Sequence, residues 1–172
     1  KINFMSLISI SGFIALITYI TTLLPSNLNK VFPHFKKNSL VRFLAKNRRN
    51  TGLLSFFFAS IHSAITVSHL NINLLDLNTY SVYYTGTFSF AIFTVLALTS
   101  NNFSIKKLKK NWKKLHNFTY VAMVLLLIHI WSLMGEKWTI FTGIGLCFLS
   151  AIAIIYIARL YRDLNKKALG NS

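Results

Sequence analysis

The chain has 172 residues, 53% of them hydrophobic, and sets 19 Lys and Arg against 3 Asp and Glu for a net charge of +16. A mean hydropathy of +0.51 is more apolar surface than a water-soluble domain of this size needs, which excludes an ordinary soluble enzyme. No barrel-like alternation appears, which excludes a membrane sheet, and a single cysteine excludes disulfides, thiolate clusters and iron–sulfur sites.

The first apolar stretch, 4–24, is too long for a signal peptide and runs into a basic loop rather than a small-residue cleavage site, so it reads as a spanning helix. The chain opens on Lys rather than Met, so further residues are expected before it. Pro25 and Pro33 are expected to break helix in the long polar connection 25–50, and the amphipathic segment 31–44 is expected to lie along the membrane surface. That connection carries Lys30, Lys36, Lys37, Arg42, Lys46, Arg48 and Arg49. The second stretch, 52–70, contains His62 and His69, and the connection after it, 71–81, has Asp76 but no Lys or Arg. The third, 82–100, is followed by Lys106, Lys107, Lys109, Lys110, Lys113 and Lys114. The fourth, 115–134, opens on a histidine, His116, and holds another, His129; Glu136 and Lys137 separate it from the fifth, 138–158. Arg159, Arg162, Lys166 and Lys167 follow, and Cys147 inside the fifth stretch reads as a small packing residue buried in lipid.

Each stretch is close to the roughly 20 residues that cross a hydrocarbon core as helix. The fold expected is all-α: a single-domain, polytopic bundle of five transmembrane helices over residues 1–172. Cations alternate with acid-bearing connections in the positive-inside pattern, which puts the N-terminus outside and the C-terminus in the cytoplasm. The charge therefore sets topology and does not bind nucleic acid; holding anionic lipid or an acidic cytosolic partner is a secondary use.

Neutral imidazole is the commonest axial ligand of buried haem iron and has little other business in a bilayer. At about 1.5 Å of rise per residue His62 lies ~15 Å from the inner end of its span and His129 ~22 Å from the same side, so one haem fits edge-on between the two helices. His69 is one heptad beyond His62, about 340° around the helix, and shares its face. It replaces His62 as ligand, touches a haem propionate, or binds nothing. His116 precedes His129 by about 220° of rotation, so a bulge is needed to aim both rings alike. A second, inner haem lacks a partner histidine one turn before Gly52, where Arg48 and Arg49 stand; His34 is in the loop.

Other uses of the histidines are weaker. Zinc lacks a neighbouring carboxylate or thiolate, and a proton-coupled carrier lacks intramembrane acids, since Asp76, Glu136 and Asp163 lie outside the spans. Phe56, Phe57, Phe58, Phe118 and Tyr120 either wall a flat cofactor or face lipid. Trp112, Trp131 and Trp138 read as interfacial belt residues, and Gly52, Gly86, Gly143 and Gly145 as points of close helix approach. There is no GxGxxG turn or P-loop, so any flavin is on a partner.

The segment NRRNTGLL at 47–54, leading to His62, resembles the "RR-x-x-G-L … L-H" helix of the ferric-reductase-like transmembrane domain superfamily. LTS at 98–100, WKKLHNFTY at 112–120 and His129 are similar to the "LTS … W-x-x-LH-x-x-x-Y … H" signature of its haem-binding MsrQ (YedZ-like) membrane subunits. The resemblance implies that His62, His116 and His129 are haem-binding. It also implies that electrons pass from a quinol or a cytosolic flavoprotein to an outer-side reductase of methionine sulfoxide. Members of the wider superfamily are iron reductases or superoxide-forming oxidases with an attached flavin domain. The MsrQ-type subunits usually have six spans, one more than expected here.

The function expected is a b-type membrane cytochrome holding one or two haems, with a quinone as a further candidate ligand. Arg48, Arg49 and the 106–114 cluster would neutralise propionates or dock the donor. The alternative is a haem-free accessory subunit of a larger membrane complex, which would be colourless. Richness in Lys, Asn and Ile suggests an AT-rich genome, with a bacterial plasma membrane first and a thylakoid or organellar membrane next.

Overall fold

In hydrocarbon every backbone N–H and C=O needs a partner within its own segment, and this chain meets that demand with helices almost throughout. The computed structural model describes residues 4–70, 77–134 and 139–170, and among these there is no strand. Seven helices follow in order: α1 (Phe4–Val31), α2 (Ser39–Leu70), α3 (Leu77–Leu98), α4 (Asn102–Leu108), α5 (Lys110–His116), α6 (Phe118–Met134) and α7 (Ile140–Gly170). Of the expected acid-bearing connections 71–81 and 135–137, residues 71–76 with Asp76 and all of 135–137 with Glu136, like Trp138, lie outside the described residues, while 77–81 already belong to α3.

Four segments are individually long and apolar enough to cross a membrane: Met5–Val31, Ser39–His69, Lys110–Ser132 and Ile140–Asn165. Among the described residues a fifth candidate span is α3 taken with the short α4, into which it turns through 94°. Asn101 makes that corner: its side chain caps α4 by accepting from the Ser104 N–H at 2.7 Å. The protein is thus an all-α, multi-pass integral membrane bundle.

Two local expectations fail. Pro25 does not end the first helix; it lies inside α1 and is fully buried. Thr21 and Thr22 donate to the carbonyls of Thr18 and Tyr19 just before it, and neighbouring helices pack over it, so tertiary contact outweighs the lost N–H. The segment 31–44 is not one surface helix either. A 3-10 turn at Pro33–Lys37, capped by Asn38, reverses the chain, and α2 has begun by Ser39. Asn38 Oδ1 accepts from the Leu40 and Val41 N–H groups, a side-chain start that needs no further loop. Arg42, Lys46, Arg48 and Arg49 therefore ride on α2 itself.

The five spans close a ring: α1 packs on α2 and α7, α2 on α3, α3 on α6, and α6 on α7. The apolar core lies where α1, α6 and α7 converge, built from Leu16, Tyr19, Ile20, Leu23, Tyr120, Met123, Leu149 and Ile152. α2 and α6 flank α3 without packing substantially on each other among the described residues. The two histidine-bearing helices are thus separated by α3 in the ring, and α6 also contributes Tyr120 and Met123 to the core.

Candidate functional site

His62 is carried by α2 and half-buried. Its Nδ1 lies 2.9 Å from the Ile8 carbonyl of α1. A carbonyl only accepts, so Nδ1 carries the proton and the lone pair is on Nε2. This is the support a metal-bound imidazole ordinarily has, a backbone oxygen fixing tautomer and ring angle. Gly12 allows it: a Cβ there would stand 2.9 Å from His62 Nδ1 and 3.0 Å from Cε1.

His129 sits on α6 against α3 in a matching way. Its Nδ1 is 3.5 Å from the hydroxyl of Thr85, which is 2% exposed. A Cβ on Gly86 would lie 2.6 Å from His129 Cε1, so only glycine leaves room for the ring. The rings of His62 and His129 are within electrostatic reach of each other. Phe56 of α2 stacks on Phe90 of α3 at 5.7 Å between centroids, while buried Ser55 donates to the Ala15 carbonyl of α1.

His116 ends α5 and is placed differently. Its ring stacks on Trp112 at 4.0 Å, and its Nε2 lies 3.2 Å from the Thr99 hydroxyl. Thr99 gives its own proton to the Val95 carbonyl, so it accepts from His116 and leaves the imidazole lone pair on Nδ1. Trp112 Nε1 donates to the Thr99 carbonyl at 2.9 Å, which makes it a bracing residue of this corner rather than only a belt residue. Between His116 and His129 the helix is interrupted: the Asn117 N–H is shared by Lys113 and Lys114, and Tyr120 N–H bonds Asn117, a single tight turn that adds about 60° of rotation and leaves the two rings in different settings. Such a 3-10 turn advances about 120° per residue instead of 100°.

Arg48 donates to Ser26 of α1 at 2.6 Å and is within electrostatic reach of His116. Arg49 donates to Asn102 of α4 at 3.1 Å and is exposed. His69 is exposed near the end of α2, an environment unlike that of His62 seven residues before it. His34 stacks on Phe35 in the 3-10 turn.

Several other expectations sort themselves by exposure. Phe57 and Phe118 are 56% and 52% exposed and face outward as lipid-facing bulk, whereas Tyr120 is buried in the core. Cys147 is on an exposed face of α7 and so looks out of the bundle instead of packing within it. Gly145 lets Leu16 approach, with Cδ2 2.6 Å from where a Cβ would be, but Gly143 has nothing near it and is not a contact point. Sequence reasoning missed Ile8, Gly12 and Thr85, and marked Thr99 only as part of the LTS motif. Of the three missed, Gly12 alone carried a signal, a small residue in an apolar span; a backbone carbonyl leaves none.

No group of three or more His, Cys, Asp or Glu side chains that could hold a metal ion occurs among the described residues. Two imidazoles within electrostatic reach of each other suit a group that brings most of its own ligands and asks two of the protein. Haem is such a group, and the free Nε2 of His62 is the donor it takes. The residues therefore fit it.

Residues 11–127 match the family described as ferric reductase like transmembrane component. The chain is 36% identical over 132 residues to proteins named protein-methionine-sulfoxide reductase heme-binding subunit MsrQ from Brucella ovis, Brucella canis and Brucella suis. The alignment covers 73% of this chain and 59% of each relative, so the chain spans about three fifths of their length. No solved structure matches it. With more than half of its length in one family match and an all-helical multi-pass bundle beneath it, the chain belongs to the ferric-reductase-like transmembrane family and is MsrQ-like.

Proposed function

We propose that this protein is a b-type membrane cytochrome that carries electrons from the cytoplasmic face of the membrane to an acceptor outside. The observation that carries the reading is the His62–Ile8 bond, which holds Nε2 unprotonated and available on a ring within electrostatic reach of His129. The relatives are named as heme-binding subunits, which supports the same cofactor. His62 and His129 would hold the haem, each supported at Nδ1 by α1 or α3. When bound, haem supplies reversible one-electron chemistry. The chain's own part is to fix the ring angles, to keep water from the apolar interior and to surround the inner end with cations.

His116, braced by Trp112 and Thr99, is the ligand or support of a second haem nearer the donor. To offer Nε2 it must leave Thr99. Arg48, which acts electrostatically on His116, suits a propionate. Arg49 and the lysines of α4 and α5 are exposed enough to meet a donor, either a cytosolic flavoprotein or a quinol. The positive-inside pattern orients the chain with this cationic face inward. The outer acceptor is a reductase partner, by the relatives' name one acting on protein methionine sulfoxide.

The test is a reduced-minus-oxidised absorbance spectrum with a pyridine haemochrome count on the purified protein. His62→Ala and His129→Ala are each expected to lose the outer haem and its sharp α-band. His116→Ala is expected to keep that haem and lose any second one. An unchanged spectrum in His129→Ala overturns the assignment, and a colourless wild type made with ample haem makes the accessory-subunit reading the right one.

A further inference from the structure

Where the last turn of α1 and the 3-10 turn after it pack on α7, they enclose a cleft of about 240 Å³. Its polar lining is Asn29, Lys30, Lys36, Arg159, Arg162 and Asp163. Four cations thus share one carboxylate. Lys30 pairs with Asp163 at 3.0 Å, and Arg159 Nε lies 3.8 Å from the same oxygen, too far for a hydrogen bond. Arg162 spends one nitrogen on the Val31 carbonyl.

Arg159 is the informative residue. Its Nη1 is committed to Asn27 Oδ1 at 3.0 Å and to the Tyr120 hydroxyl at 2.6 Å, and the guanidinium is 5.5 and 5.9 Å from the centres of the Tyr120 and Tyr156 rings. Held this way it cannot swing out to water. Its Nε is buried with no hydrogen-bond partner and stands 3.8 Å from the Asp163 carboxylate, which also pairs with Lys30. One carboxylate among four cations leaves a surplus of positive charge along the cleft, which an acceptor from outside the chain neutralises. In a cleft with a surplus of cations that acceptor is an anion, and a tetrahedral phosphate matches a fixed guanidinium edge flanked by lysines.

The neighbouring surface says where the phosphate comes from. Phe32, Ile157, Leu160 and Leu164 are 42%, 64%, 42% and 65% exposed on the same ends of α1 and α7, beside the cations. In a membrane bundle that apolar surface meets acyl chains. We propose that this cleft is a binding site for the headgroup phosphate of an anionic glycerophospholipid, recognised by Lys36 and Arg162 beside the fixed Arg159. The site involves none of His62, His116 and His129 and does not rest on the haem reading.

Native mass spectrometry of the delipidated full chain in detergent tests it, with phosphatidylglycerol and phosphatidylcholine of equal chain length as probes. Wild type is expected to retain phosphatidylglycerol in preference. Lys36→Gln with Arg162→Gln is expected to weaken it by about fivefold for each cation removed. Lys106→Gln with Lys107→Gln removes the same charge elsewhere and is expected to change nothing. Equal retention of the two lipids by wild type, or equal loss in both double variants, overturns the site. Release of phosphatidylglycerol by millimolar inorganic phosphate overturns the lipid source in favour of free phosphate. Unchanged thermal unfolding of the cleft variant separates loss of the site from loss of the fold; Arg159 is left intact because it belongs to the buried network.

Discussion

At the scale of residues, the site depends as much on two absent side chains as on two imidazoles. Gly12 and Gly86 are where α1 and α3 touch the histidine rings, and at both a methyl group would fall within about 3 Å of ring atoms. Gly86→Ala should push His129 off its position and lower haem affinity by about tenfold or more, the usual effect of disturbing a ligand's support. The haemochrome count of the purified variant reads this directly. Gly143→Ala, where a Cβ meets nothing, should leave the count at the wild-type value. The histidines themselves were legible because imidazole is rare in lipid without a task. Their supports were not, because Ile8 contributes a carbonyl that every residue has, and Thr85 and Thr99 are two among many hydroxyls that bond the preceding turn of their own helix.

Among the elements, the best-anchored contact joins α1, α6 and α7 through a polar network inside the apolar core. Asn27, fully buried on α1, accepts from Tyr120 at 3.2 Å and from Arg159 at 3.0 Å, and donates back to Leu23. Tyr120 and Tyr156 stack at 3.9 Å beneath the guanidinium. Asn27→Ala removes the shared acceptor and strands a phenol and a charge, so it should destabilise the bundle by about 1–3 kcal/mol. A lower midpoint of thermal unfolding in detergent checks it, and Asn27→Asp, which keeps the acceptor, should lose less. The α5–α6 junction is the other element-scale feature. The 13-residue interval from His116 to His129 is interrupted by the 3-10 turn at Asn117, which leaves the two rings in different settings. Pro25 is the counterexample: its helix-breaking tendency is real but small beside the packing of a fully buried residue.

For the molecule as a whole, charge placement and helix order predict its orientation. With Cys147→Ser as background, Lys107→Cys should react with an impermeant thiol reagent only after cells are opened, and Asp76→Cys should react in intact cells. The reverse pattern would invert the bundle and with it the direction of electron flow. The closed ring α1–α2–α3–α6–α7 also explains why the haem reading needs no insertion or extra domain: α3 spaces α2 from α6, leaving His62 and His129 within electrostatic reach of each other.

The sequence by itself determined what elementary solvation physics decides: five apolar segments, their helical form, the cationic ends and the histidines that mark two of the helices. Those follow from the cost of bare backbone and charge in hydrocarbon, which each segment meets alone. Only the tertiary structure decided where α1 and α2 end, which glycines carry contacts, and which nitrogen of each imidazole is free. It also decided that Arg159 sits in a buried network beside a cationic cleft. These depend on partners 40 to 130 residues away along the chain, as in the Ser55–Ala15 and Arg159–Asn27 bonds, and no local pattern in the sequence encodes such distances.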